Sequence, residues 1–355
     1  MRILISGYYG FHNTGDEAVL AGIVAGLRRR LPNAELCVLS ADPPGTTAQH
    51  GVLAADRWRT PVIWSELRKA DFFIQGGGSL LQDVTSPQSP VYYLGLLHLA
   101  RLTRTPYMIF AQGIGPISSN FLRGITARNL RSAKAITVRD IESAQMLREW
   151  GVNKPEVVVS ADPGLLVEPS DDNRRRQLLR SMDLAEDQPF FAIALREWPG
   201  LHDFLPHLVE LLRRRDEALL VLPLHYEQDL PLALDLSQAL PNRVHLPHEV
   251  LSPADSMALV RGARAVIAMR LHAMIFAAAQ YTPAIGISYD PKVDAFCRQS
   301  GHPVLQLHEV TTERLEECLQ QTLGARTDEA AIARIETLKH AAEVSFDVLL
   351  SVLPS

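Results

Sequence analysis

Cysteine is scarce in this chain: three residues, Cys37, Cys297 and Cys318, stand in 355, and none forms a CxxC pair. That excludes a cysteine-based zinc cluster and a disulfide framework, and it fits a reducing compartment. Long apolar runs are missing as well. No stretch approaches the about 18 uninterrupted apolar residues that a membrane span needs. The opening MRILISGYYG is broken by glycine too soon for a signal peptide. The expected location is the cytoplasm, with peripheral docking at the inner face of the membrane left open. Nor is there a basic excess, since 35 Lys and Arg face 40 Asp and Glu, a net charge of −5. A nucleic-acid partner is disfavoured, while a local basic cleft for a small anion is not. Aromatic residues are only 6% of the chain, which counts against a protein that does nothing but bind glycan on aromatic platforms.

What is present is an ordinary soluble composition, 47% apolar and 21% charged, in a chain long enough for two α/β domains. Short apolar runs alternate with longer amphipathic ones. Arg2–Ser6, 34–39, 71–75, 107–111, Ala135–Val138 and 157–160 read as buried strands. Segments 17–31, 91–102, 121–131 and 142–150 read as helices. Strands that are apolar throughout, separated by helices, indicate a parallel sheet covered on both faces. The charged stretch Glu168-Pro-Ser-Asp-Asp-Asn-Arg-Arg-Arg176 reads as a link that runs into a new helix.

Beyond it the alternation restarts. Strands are expected at 190–195, 218–222, 244–246, 265–269 and Ala284–Ser288, with helices at 203–214, 230–240, from Ser252, and up to Gln280. Ser252 followed by Asp255 has the spacing of a capping box. The last stretch, 328–350, has Ile332, Ile335, Leu338, Ala342, Phe346 and Leu349 on one helical stripe. The fold class is therefore α/β, with two tandem Rossmann-like domains and parallel sheets; by analogy with two-domain proteins of this shape, a central cleft is expected between them. The expected division is 1–168, 172–327 and a C-terminal helix, 328–355, packing back across the cleft.

In open parallel sheets ligands sit beyond the carboxyl ends of the strands, so the residues that follow each strand carry the functional question. The first strand runs into Gly7-Tyr-Tyr-Gly10 and then Asn13, Thr14, Gly15, Asp16 and Glu17. This is neither GxGxxG nor a Walker loop. Asp16 and Glu17 have two readings of about equal weight: first-turn acids that suit a helix dipole, or acids that bind or activate sugar hydroxyls. Gly76-Gly77-Gly78-Ser79 follows a strand and reads either as a ligand loop or as a turn needing positive φ. Arg139 stands where the strand Ala135–Val138 gives out, either to meet an anion or to pair with Asp140. Asp162-Pro163-Gly164 either closes a turn, the preferred reading, or lines the cleft.

In the second half Arg196 and Trp198 follow one strand and His225 another; a histidine so placed is more often structural than catalytic. The densest signal is Arg270-Leu271-His272, which interrupts an otherwise apolar strand, turn and helix, with Lys292 directly after the next strand. Burying such groups without partners is costly, so an anion or a hydrogen-bond network should meet them.

Taken in order, Gly7-Tyr-Tyr-Gly10 with Asn13-Thr-Gly-Asp-Glu17, Gln75-Gly-Gly-Gly-Ser79, Ala111-Gln-Gly-Ile-Gly-Pro116, Thr137-Val-Arg-Asp140, Arg270-Leu-His272 and Ser288-Tyr-Asp-Pro-Lys292 resemble the polysaccharide pyruvyl transferase family over nearly the whole chain. The resemblance is nearest to the bacterial cell-wall type called CsaB. It implies a fold similar to the GT-B arrangement of glycosyltransferases. It implies phosphoenolpyruvate as donor and a lipid-linked oligosaccharide ending in N-acetylmannosamine as acceptor, which receives a 4,6-ketal that anchors surface-layer proteins. No metal or cofactor is implied.

His272, Lys292 and Arg139 match the catalytic positions, and Arg139, Arg270, Leu271, His272 and Arg196 fall on the donor side. Asn13, Thr14, Asp16, Glu17, Gly77 and Gly78 fall on the acceptor side. Two other readings stand beside this one: a glycosyltransferase that uses a nucleotide sugar on the same plan, and a non-catalytic glycan-binding protein. The cations at strand ends count against the latter. The oligomeric state is left open.

Overall fold

The computed structural model describes residues 1–84, 88–324 and 329–354. Among these, the strands fall into two sheets that are parallel throughout. The first contains β1 (Arg2–Ser6), β2 (Glu35–Ser40), β3 (Leu53–Asp56), β4 (Phe72–Gln75), β5 (Gly78–Leu81), β6 (Tyr107–Ile114), β7 (Ala135–Val138) and β8 (Val157–Val159). Its order is β3-β2-β1-β4-β6-β7-β8, and β5 also pairs with β6. The second contains β9 (Phe190–Ala194), β10 (Ala218–Val221), β11 (Val244–His245), β12 (Ala265–Ala268), β13 (Ala284–Ser288) and β14 (Val304–Gln306), in the order β11-β10-β9-β12-β13-β14. That is the doubly wound Rossmann order.

Two compact units result. One comprises Met1–Phe11, Asp16–Leu166 and Lys339–Ser355; the other comprises His12–Gly15 and Val167–Leu338. In the first, β1 lies between β2 and β4, with Ile3 beside both Leu36 and Phe72. Strands flanked on both sides and covered on both faces have no wet surface, which is why β1, β4, β6 and β7 read as continuous apolar runs. The C-terminal helix Glu329–Val352 gives this unit Phe346 and Leu349, both fully buried. The Phe346 ring meets Phe110 edge-on at 4.9 Å and lies so close to Gly26 that a Cβ there would come within 2.2 Å of it. The expected start of this helix, Asp328, lies outside the described residues.

In the second unit, Phe191, Ile193, Leu219, Ile267 and Ile285 from four neighbouring strands meet Phe204 and Leu208 of the helix Leu201–Arg213 in one core cluster. Ser252 accepts the N–H of Asp255 at 3.1 Å, as the capping spacing predicts. The other half of the box is not made. The Asp255 carboxylate instead binds the Ser170 hydroxyl at 2.7 Å and Arg174 at 2.9 Å.

Several elements have no clear sequence signal. The helix Pro43–His50 carries two prolines, a glycine and two threonines. Its start is fixed by Asp42, which accepts the Gly45 N–H, with proline in its first turn. β3 reads Leu-Ala-Ala-Asp, weak as a strand, and exists because β2 supplies its hydrogen-bonding edge. β5 follows at once from Gly78, whose φ of +90° turns the chain out of the glycine run. Among the described residues no helix is long and apolar enough to cross a membrane.

Candidate functional site

At the carboxyl edge of the second sheet, four adjacent strands end in cationic or titratable side chains: β10 in His225, β9 in Arg196, β12 in Arg270 and His272, and β13 in Lys292. Neighbouring strands are about 4.8 Å apart, so these four ends span roughly 15 Å.

Arg270 is the N-cap residue of the helix Leu271–Ala279. Its Nε donates to Asp229 Oδ2 at 2.9 Å, and its Nη2 donates to Asp229 Oδ1. Asp229, in the helix Tyr226–Ala239, also accepts the backbone N–H of His225 at 2.9 Å. Lys292 pairs with Asp290 at 3.1 Å, and Asp290 caps its helix by accepting the Lys292 N–H. Arg196 donates to the Tyr289 hydroxyl at 2.9 Å and lies about 5 Å from the Trp198 and Tyr289 ring centres. Its buried Nε has no hydrogen-bond partner among the described residues. The edge is therefore less positive than its residue types suggest, because carboxylates offset Arg270 and Lys292. Leu271 differs from its sequence-based role: it is a buried apolar side chain, and only its backbone at the helix start is suited to a polar ligand.

The segment His12–Gly15 belongs to this same unit. Thr14 N–H donates to Leu224 O at 2.7 Å, Tyr226 N–H donates to His12 O at 3.2 Å, and Asn13 forms an antiparallel bridge with His225. The Asn13 side chain accepts the Gly15 N–H at 3.1 Å, and the Thr14 hydroxyl donates to Leu251 O at 3.3 Å. Gly15 lies against the His272 ring so closely that a Cβ would fall 2.3 Å from Nδ1. The structure thus brings together Asn13, Thr14, His225 and His272, which the sequence spreads over some 260 positions.

In the first unit the carboxyl edge carries Arg139, which is buried rather than at the surface. It pairs with Asp162 at 3.2 Å and Asp140 at 3.6 Å, and its Nη2 donates to Ser79 Oγ at 2.8 Å. Asp162 also accepts the Gly164 N–H at 2.9 Å, so the turn expected at Asp162-Pro163-Gly164 forms and meets Arg139 as well. Asp16 lies beside Gly78, where a Cβ would sit 2.9 Å from its carboxylate oxygen. Gly77 has a packing reason, since a Cβ there would press on Val19 at 2.8 Å. Glu17 is buried and occupied: its carboxylate accepts the Gly10 N–H at 2.8 Å and the His50 Nε2–H at 2.8 Å. It fixes the loop after β1, and its oxygens face the protein.

Sequence reasoning passes over Arg57, the residue directly after the weak strand β3. This buried guanidinium donates to Gly7 O at 2.6 Å and to the Tyr93 hydroxyl at 3.2 Å. It lies 4.5 to 5.6 Å from the ring centres of Tyr92, Phe11, Trp58 and Tyr93. Burial, reinforced by the Asp16 carboxylate, raises the Tyr8 and Tyr9 hydroxyl pKa values. Among the described residues no three His, Cys, Asp or Glu side chains gather in a metal-binding group.

The two Rossmann-type units with parallel sheets define a GT-B-like fold. The UDP-GlcNAc 2-epimerase of Neisseria meningitidis, solved with UDP-GlcNAc, superposes with a TM-score of 0.69 at 13% identity, over 99% of this chain and 100% of that one. A glycosyltransferase from Rickettsia africae gives 0.64 at 12% identity, covering 98% of each chain. At such identities the likeness establishes the fold alone. The amylovoran biosynthesis protein AmsJ of Erwinia amylovora is 20% identical over 85% of this chain and 87% of its own length. Residues 13–291 match the model of the polysaccharide pyruvyl transferase family, and the chain belongs to that family.

Proposed function

We propose that this protein transfers pyruvate from phosphoenolpyruvate to a sugar of a polysaccharide precursor, closing a cyclic ketal and releasing phosphate. The observation that carries this reading is the carboxyl edge of the second sheet, where adjacent strands present Arg196, Arg270, His272 and Lys292. Phosphoenolpyruvate is small and bears two anionic groups. The orphaned Nε of Arg196 is a donor suited to one of them, and the Arg270 guanidinium, held by Asp229, presents its remaining N–H groups to the other.

In this mechanism a proton from His272 or Lys292 adds to the methylene carbon, leaving C2 electrophilic. One sugar hydroxyl adds to C2 and loses its proton. The C2–O bond to phosphate then breaks, phosphate leaves with both bonding electrons, and the second hydroxyl closes the ring, releasing the last proton. A positioned acid or base contributes about 10²–10⁴-fold to such a step. The family motifs assign Arg139 to the donor as well, and Asn13, Thr14, Asp16, Gly77 and Gly78 to the acceptor. The acceptor suggested by the CsaB-type motifs is a lipid-linked oligosaccharide ending in N-acetylmannosamine, pyruvylated at O4 and O6 on the cytoplasmic side of the membrane. The expected organisation keeps the acceptor with the N-terminal domain and the donor with the C-terminal one.

The test is phosphate release from phosphoenolpyruvate, with and without a synthetic acceptor of that type. Acceptor-dependent release that is lost in Arg139→Ala, His272→Ala and Lys292→Ala supports the reaction and its cationic site. Tight binding of a nucleotide sugar with no phosphate release would transfer the chain to the glycosyltransferases.

A further inference from the structure

The arginine-centred aromatic cluster of the first unit has no part in the transfer chemistry, yet it is the most concentrated grouping of rings in the described chain. Tyr8 and Phe11 stack at 4.1 Å with their planes 9° apart. Phe11 meets Trp58 edge-on at 6.1 Å, Trp58 meets Tyr92 at 5.9 Å, and Tyr92 meets Tyr93 at 5.1 Å. Arg57 lies beneath them as a buried keystone. The Trp58 backbone is pinned by Asp56, which accepts its N–H at 2.8 Å, and the Tyr92 hydroxyl donates to Arg57 O at 3.0 Å. On this rigid base the Trp58 side chain is 62% exposed. A large aromatic held rigidly and left in water needs an explanation, because packing it inward would be favourable by its apolar area.

From this arrangement we propose that Trp58, with Phe11 and Tyr8, forms a stacking subsite for a pyranose ring of the acceptor glycan, beyond the sugar that receives pyruvate. This deepens the proposed function and rests on it for the identity of the acceptor. A pyranose presents a face of weakly positive C–H groups to the negative face of an aromatic ring, while its hydroxyls point sideways. The electrostatics favour such a neutral ligand. Burial raises the Tyr8 hydroxyl pKa and the nearby Asp16 carboxylate raises it further, against Arg57, so a carboxylate that suits sugar hydroxyls better than a phosphate stands beside the platform. The Arg57 charge is spent inward on Gly7 O and the Tyr93 hydroxyl, and is screened from solvent by the rings. Arg59, the exposed residue after Trp58, is the cation an anionic ligand would use, so the test includes an anionic ligand. Asp16 and Gly78 connect the platform to the residues assigned to the acceptor.

The test measures binding without phosphoenolpyruvate, so that failure of the transfer reaction and failure of this subsite are seen separately. A synthetic N-acetylhexosamine tetrasaccharide and the corresponding disaccharide are titrated into the full-length protein, followed by saturation-transfer NMR and calorimetry. The tetrasaccharide should bind more tightly than the disaccharide. Trp58→Ala should weaken the tetrasaccharide about tenfold and erase the advantage of length. Trp58→Phe should retain part of it, and Trp64→Ala, which alters another half-exposed tryptophan, should change nothing. Thermal unfolding of each variant checks the fold, and the Phe variant keeps the test decisive if the Ala variant unfolds. Equal binding by wild type and Trp58→Ala, or no tetrasaccharide binding by wild type, would overturn the proposal. So would Trp58-dependent binding of uridine diphosphate or of phosphatidylcholine vesicles in place of the saccharide.

Discussion

Asp229 holds Arg270 through both carboxylate oxygens, receiving Nε at Oδ2 and Nη2 at Oδ1, with their side chains 3% and 13% exposed. Breaking such a buried pair by removing one partner costs about 3–5 kcal/mol, because the other charge is left desolvated and alone. Arg270→Ala and Asp229→Ala should each lower stability in denaturant unfolding by that order, and the double variant by less than the sum. Asp229→Asn should keep the shape and raise the KM for phosphoenolpyruvate, since Arg270 would no longer be held in place.

The contact between Gly15 and His272 predicts a narrower effect. Gly15→Ala places a methyl group 2.3 Å from His272 Nδ1, and the ring must move. Turnover measured by phosphate release should fall about tenfold or more, as expected when a reacting group is displaced by about an ångström.

Asp16 and Glu17 should separate cleanly. Glu17→Ala leaves the Gly10 N–H and His50 without their acceptor and should cost about 1–3 kcal/mol in unfolding experiments. Asp16→Asn should leave stability nearly unchanged and lower turnover about 10²-fold, if the acid activates a sugar hydroxyl. Equal effects of both on stability alone would remove Asp16 from the acceptor machinery.

Phe346→Ala should destabilise the first unit by about 3–5 kcal/mol, because the ring is fully buried between Phe110 and Gly26 and leaves a cavity. Circular dichroism during thermal unfolding would show it.

His302 predicts a pH dependence of stability. Burial lowers its pKa below the ordinary 6.5, partly opposed by a hydrogen bond to the backbone of Thr282. The folded state therefore binds its proton less readily than the unfolded chain. The stability this contributes is complete above about 6.5 and is lost as pH falls from there through the folded pKa. The thermal midpoint should drop from pH 7 to pH 5, and His302→Gln should flatten that slope.

The two parallel sheets were legible because their central strands are apolar on both faces, so β1, β4, β9 and β12 could be read almost to the residue, while β6 runs three residues past the expected Ala111. The helix Pro43–His50 and β3 were not, since a proline pair and two alanines acquire structure only from a cap and from a neighbouring strand's edge. Arg270, His272 and Lys292 stood out as charges interrupting apolar runs. Arg57 did not, because its four rings come from three separate stretches of chain.

The sequence alone determined the fold class, the residue types at the strand ends, and the family motifs. Those depend on local periodicity and on residue types at fixed spacing. Tertiary structure decided the partners: that Asp229 neutralises Arg270, that Asp162 and Ser79 meet Arg139, that Glu17 serves the Gly10 loop, and that His12–Gly15 pack with the residues after β10. Apart from Glu17 and Gly10, which are seven positions apart, each of these is a contact across tens to hundreds of positions. Such contacts depend on which strand lies beside which, and no local pattern encodes that.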